Sequence, residues 1–229
     1  MIRIALVDAG VAPEHAPRVV AARAFRLREG PGDPESAAGD VAAEDGIEAV
    51  TRGALAHGPA LARVLLAEPR ARLIVARVFD ARLVTTAAQL AAALDFAAEQ
   101  GAALASVSAG LREDREVLRS AVARAHARGV LLVAAAPARG AAVFPAAYAG
   151  VVRATGDARC AAGEHSWLAS AQADFGAHVR AGDVQGASAG CAHVTAKLAT
   201  LLAAGATPEQ ALAALRASAR YVGGERRVR

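Results

Sequence analysis

Aromatic residues are scarce in this chain of 229 residues: they make up 3% of it, although 55% is hydrophobic. Ala, Val and Leu must therefore fill the interior, a composition that suits helices lying close on a sheet. Cysteine is nearly missing. Cys160 and Cys191 are the only two, too few for a disulfide framework, so both read as free thiols in a reducing cytoplasm. No apolar run reaches the ~18 residues that span a bilayer. The opening Met1–Val7 reads as a strand and lacks the charged region, apolar region and cleavage site of a signal peptide. Lysine is reduced to Lys197, so arginine carries the net charge of +4, scattered as on solvated faces and with no nucleic-acid motif beside it. The expectation is a soluble, cytoplasmic protein with neither a nucleic-acid nor a membrane partner. No Walker loop and no Gly-x-Gly-x-x-Gly follows a strand, so no nucleotide cofactor is expected.

What is present is alternation. Ile2–Val7, Leu73–Val78, Ala102–Val107, Val130–Ala135 and Val151–Ala154 are short apolar runs of the kind that form buried strands. Between them, Thr86–Gln100 and Glu113–Arg128 carry helical spacing and stop at Gly101 and Gly129. Thr207-Pro208-Glu209-Gln210 opens a last helix with an N-cap, a first-turn proline and a glutamine three residues on. Such alternation implies an α/β fold, a single-domain doubly wound parallel sheet over residues 1–229 with helices on both faces. Ligands of such sheets gather at the carboxyl ends of the strands. Glu29–Glu48, rich in Gly, Pro, Asp and Glu, reads as a surface loop, and 220–229 as a basic tail whose last residues, Arg226–Arg229, fray.

Three polar residues sit where that architecture puts chemistry. Asp8 ends an apolar strand and precedes Gly10, a place often held by an ordinary turn aspartate. His57-Gly58 precedes a helical stretch, Pro59–Ala67, where a capping or surface histidine is common. Ser188 lies in Gly186-Ala187-Ser188-Ala189-Gly190, before a helix at Cys191–Ala204, where a serine is usually a plain N-cap. A serine there has a second use, because free N–H groups and the helix dipole can stabilise an oxyanion beside its hydroxyl.

Taken in order, these segments resemble the subtilases. Asp…His…Ser is the subtilisin chain order. Ile4–Val11 (IALVDAGV) resembles the Asp motif, HGPALA from His57 the His-Gly-Thr-His motif, and Gly186–Val194 (GASAGCAHV) the Gly-Thr-Ser motif. Ser106–Gly110 (SVSAG) and Phe144–Tyr148 (FPAAY) are similar to the substrate-pairing strand and to the segment after the oxyanion loop. The resemblance implies a subtilisin-like fold. It implies Ser188 as nucleophile, His57 as general base and Asp8 as its orienting carboxylate. Ser108, Ala109, Gly110, Ala136 and Pro137 would bind a peptide as an added strand. The Ser188 backbone and the Ala138–Arg139 region would form the oxyanion hole.

Departures from the family pattern point to a restrained enzyme. Ala138 stands where the family has the oxyanion-hole Asn, Ala60 where it has a second His, and Ala192 where it has Pro. His193 matches a structural histidine, and the remaining histidines share no metal-like spacing. A calcium-binding carboxylate cluster is not expected, Asp33–Asp45 being the nearest approach to one. With Asp8 so near Met1, no N-terminal pro-segment is expected. The function implied is a serine endopeptidase of one protein or peptide precursor, similar to the small subtilases that remove leaders, such as that of quinohaem amine dehydrogenase biogenesis. The alternative is an inactive subtilase-fold protein that only captures a peptide.

Overall fold

A computed structural model describes residues 1–27 and 41–224. Its strands are β1 (Ile2–Asp8), β2 (Val19–Leu27), β3 (Val41–Asp45), β4 (Ala71–Arg77), β5 (Leu104–Val107), β6 (Leu131–Ala135), β7 (Val152–Gly156), β8 (His165–Trp167) and β9 (Phe175–Ala177), then a small hairpin, β10 (Arg180–Ala181) and β11 (Val184–Gln185), and last β12 (Tyr221–Val222). The helices are α1 (Ile47–Thr51), α2 (His57–Leu65), α3 (Ala87–Glu99), α4 (Glu116–Ala127), α5 (Ala187–Ala203) and α6 (Pro208–Ala217). All strands outside the hairpin join one sheet in the order β12-β8-β9-β7-β6-β5-β1-β4-β2-β3. Only the β2–β3 and β8–β9 pairs are antiparallel, so the sheet is parallel through its middle and mixed toward its edges.

Helices on both faces explain why the central strands are continuous apolar runs, with no polar alternation. Along β1, Ile4 and Leu6 pack into the layer of α2, α5 and α6, whereas Ala5 and Val7 pack into the layer of α3 and α4. Both layers are closed largely by Ala, Val and Leu. α3 begins at Thr86, whose hydroxyl accepts from Gln89 N–H, and α6 repeats the device with Thr207 and Gln210.

Two expectations need correction. Residues 29–40 of the expected 29–48 loop lie outside the described residues, but Val41–Asp45 is an edge strand and Ile47–Thr51 a helix. Ion pairs Arg23–Asp45 and Arg26–Glu44 tie that charged edge to β2, so residues that look loop-like serve as the polar face of an outer strand. Its partner β2 escapes a search for apolar runs because those same arginines interrupt it. The expected basic tail from 220 begins inside the sheet: Tyr221–Val222 adds in parallel to β8, and Arg159 stacks over the Tyr221 ring. Residues 225–229 lie outside the described residues. Beside that edge, Trp167 packs 4.9 Å from the Phe175 ring, with the Arg216 guanidinium 4.9 Å over its own. Among the described residues no helix is long and apolar enough to cross a membrane.

Candidate active site

Strand alternation decides where Asp8 points. It continues the Ile4, Leu6 series and so faces the layer that holds α2 and α5. His57 is the first residue of α2. Its Nδ1 lies 2.8 Å from Asp8 Oδ1 and 3.0 Å from Oδ2, and a carboxylate only accepts, so Nδ1 carries the proton and Nε2 is left as the acceptor. Asp8 is wholly buried, and its Oδ1 also accepts the Ala9 N–H at 2.7 Å. His57 keeps 16% of its side chain exposed, so Nε2 stays within reach of the cleft.

Two glycines make this approach possible. A β-carbon on Gly58 would sit 2.1 Å from Gly10 O, and one on Gly10 would sit 2.1 Å from Val50 O, so the start of α2 lies directly on the chain leaving β1. The segment before His57 is held from below by Arg77, which pairs in register with Asp8 on β4. Its buried guanidinium donates to the carbonyls of Phe79 at 2.9 Å, Ala49 at 3.2 Å, Arg52 at 2.6 Å and Gly53 at 3.3 Å.

Ser188 is the second residue of α5, one turn earlier than the sequence suggests, and Gly186 takes the cap position with φ +80, a conformation that favours glycine. The first i→i−4 bond of α5 runs from Gly190 N–H to Gly186 O at 3.0 Å, which leaves the Ser188 N–H without an acceptor inside the helix. Gly190 lets α5 lie on β7, since a β-carbon there would meet Thr155 O at 2.0 Å. Ser188 and His57 line one cleft of about 290 Å³ together with Ser108, Ala109 and Gly110.

The same cleft is lined by Phe79, Leu83, Val84, Thr85 and Leu111, none of which the sequence marks out. Leu83 and Val84 are 53% and 67% exposed, an apolar lip beside His57. Of the other expected site residues, Ala136 is buried and its N–H is taken by Ala154 O at 2.8 Å, so it offers no donor to a ligand. Pro137, Ala138 and Arg139 follow β6 on a partly exposed loop and do not line the cleft. The Ser108 and Thr85 hydroxyls are both buried at the cleft and without a partner.

The remaining candidates are structural. Cys191 is fully buried, with Sγ 3.5 Å from Val133 O, and burial pushes its thiol up to about 11; Cys160 is raised to about 11 by burial too, so neither is a nucleophile at neutral pH. Three imidazoles outside the cleft serve the backbone: His165 Nε2 meets Leu215 O at 2.7 Å, His178 Nδ1 meets Cys160 O at 3.0 Å, and His193 Nε2 meets Arg180 O at 2.8 Å. Among the described residues, no group of three or more His, Cys, Asp and Glu is placed to hold a metal ion.

No family model matches the chain, and no curated protein matches it in sequence. Solved structures do resemble it. Sphericase superposes with a TM-score of 0.66 at 19% identity, over 94% of this chain and 82% of that one. The protease domain of PatA gives 0.58 at 18%, over 92% and 84%. The prenylagaramide maturation protease PagA gives 0.55 at 19%, over 89% and 76%. The fold is that of the subtilisin-like proteases.

Proposed function

We propose that the chain is a subtilisin-like serine endopeptidase in which Ser188 is the nucleophile, His57 the general base and Asp8 the residue that orients it. The observation that carries the reading is the two-oxygen contact between Asp8 and His57 Nδ1, on the cleft that Ser188 also lines. With Nδ1–H held by Asp8, Nε2 is free to take the Ser188 proton as Oγ attacks a peptide carbonyl. The imidazolium that forms is stabilised by the buried Asp8 carboxylate. Negative charge on the former carbonyl oxygen meets the Ser188 N–H, reinforced by the positive end of the 17-residue α5. His57 then returns the proton to the leaving amine, and water releases the acyl group by the same steps in reverse roles.

The family resemblance puts a second oxyanion donor at position 138, where Ala138 offers only a methyl group and does not line the cleft, and losing one such donor costs about 10²–10³ in turnover. Slow chemistry fits an enzyme with one dedicated precursor, and likeness to a maturation protease supports leader removal as the reaction. A fluorophosphonate tests the reading directly. The reagent should attach to Ser188, and Ser188→Ala or His57→Ala should abolish both attachment and precursor cleavage without unfolding the protein. A folded wild-type protein that takes up no label would leave the cleft as a peptide-capturing surface and refute the peptidase.

A further inference from the structure

Arg77 lies beside Asp8 on the next strand and on the same side of the sheet, since it continues the Leu73, Val75 series that packs with α2 and α5. It is buried, and its guanidinium turns to the backbone. Nε donates to Phe79 O, Nη1 to Ala49 O and Arg52 O, and Nη2 to Gly53 O, with Asp80 Oδ1 3.5 Å from Nη2. A guanidinium has five N–H groups, so these carbonyls and the Asp80 carboxylate engage the whole fork.

The partners belong to two separate segments. Phe79 and Asp80 begin the loop that walls the cleft. Ala49, Arg52 and Gly53 close α1 and lead to His57. Among the described residues, the backbone of 52–56 bonds only locally: Arg52 N–H to Glu48 O, Ala54 N–H to Thr51 O, and Ala60 N–H to Ala56 O. No strand backbone reaches this stretch, so Arg77 is its hydrogen-bonded tie to the sheet. Buried ion pairs add little stability over apolar side chains of equal volume, whereas a planar fork fixes the relative place of two segments at once. We infer that Arg77 is a positioning residue for peptide hydrolysis, acting through 52–56 to seat His57 on Asp8 and through Phe79 to hold the facing wall. This inference rests on the peptidase reading and adds to it a residue that never touches substrate.

Arg77→Met and Arg77→Lys test it. Methionine removes every donor, and lysine supplies at most three on a point charge. Fluorophosphonate labelling of Ser188 should slow about 100-fold in the first and about 10-fold in the second, the scale of a ~1 Å misplacement. The second readout is the proton resonance of His57 Nδ1–H, which lies far downfield when a buried carboxylate accepts it. This signal should be sharp in the wild type and broadened or lost in folded Arg77→Met. A folded Arg77→Met protein that keeps the resonance and labels within about threefold of the wild-type rate overturns the inference. So does Arg77→Lys labelling within about twofold. Losses that merely track the unfolded fraction seen by circular dichroism, or failure of both variants to fold, reduce Arg77 to a structural residue and overturn it too. In all these cases the peptidase reading stands, whereas a folded wild type that takes no label removes both.

Discussion

Gly58→Ala is the smallest change that should uncouple His57 from Asp8. The new methyl group would lie 2.1 Å from Gly10 O, 3.0 Å from Gly10 C and 3.1 Å from Gly10 N. Ordinary contact begins near 3.4 Å, so the two segments must part by about 1 Å or more. Neither can yield elsewhere. Gly10 is pressed against Val50 O on its other side, and the next residue, Val11, bonds that carbonyl through its N–H at 3.0 Å. Leu61 and Leu65 of α2 are fully buried and keep the rest of the helix in place. The displacement therefore falls on the first turn of α2, where His57 holds Asp8 at 2.8 Å. A misplacement of ~1 Å in a catalytic constellation costs about 10²-fold, and the crowding itself about 1–3 kcal/mol of stability. The assay is the second-order rate of fluorophosphonate labelling at Ser188, measured where circular dichroism shows the variant folded. A folded Gly58→Ala protein labelled within threefold of the wild-type rate would refute the claim that this backbone contact sets the Asp8–His57 geometry.

Ala138→Asn should raise turnover by up to about 10²-fold with little change in KM, because the added bond forms chiefly in the transition state; a change below about twofold would mean that 137–140 is not the oxyanion loop. Leu83→Asp should raise KM about fivefold by removing roughly 1 kcal/mol of apolar contact from the lip, with kcat little altered; a matching loss in kcat with KM constant would contradict a binding role. Glu68 accepts from the Arg70 guanidinium at 2.8 Å and the Arg70 N–H at 3.1 Å, which lowers its pKa from 4.5 to about 2. Because the folded value is the lower one, this stability is fully present above pH ~4.5 and is lost as pH falls toward ~2. Glu68→Gln should thus flatten the acid limb of a urea-midpoint profile between those values, and an unaltered limb would speak against the pairing.

The middle of the molecule is legible in the sequence because strands buried on both faces leave unbroken apolar runs. Asp8 stands out as the polar residue that ends such a run. His57 and Ser188 are legible through glycine-flanked words at helix starts, although the true start of α5 lies earlier than apolar periodicity suggests. β2 and β3 are not legible. Their arginines and carboxylates pair across an exposed edge, and that pairing exists only once the strands are side by side. The cleft wall at Phe79–Thr85 hides for a related reason: it is a loop with no period, and only tertiary placement brings it beside Ser188. The Gly10–Gly58 contact is likewise invisible, since nothing local says that two distant glycines must touch.

Trp167, the one tryptophan of the chain, sits far from all of this, on β8 between Phe175 and Arg216. Intrinsic fluorescence excited at the indole band therefore reports on the β8–β9–β12 margin of the sheet and on the docking of α6, while the Asp8–His57 half stays optically silent. If that margin detaches first on heating, the emission change will precede the loss of labelling at Ser188, and a melting curve taken from the indole alone will record the departure of the edge while the site is still assembled.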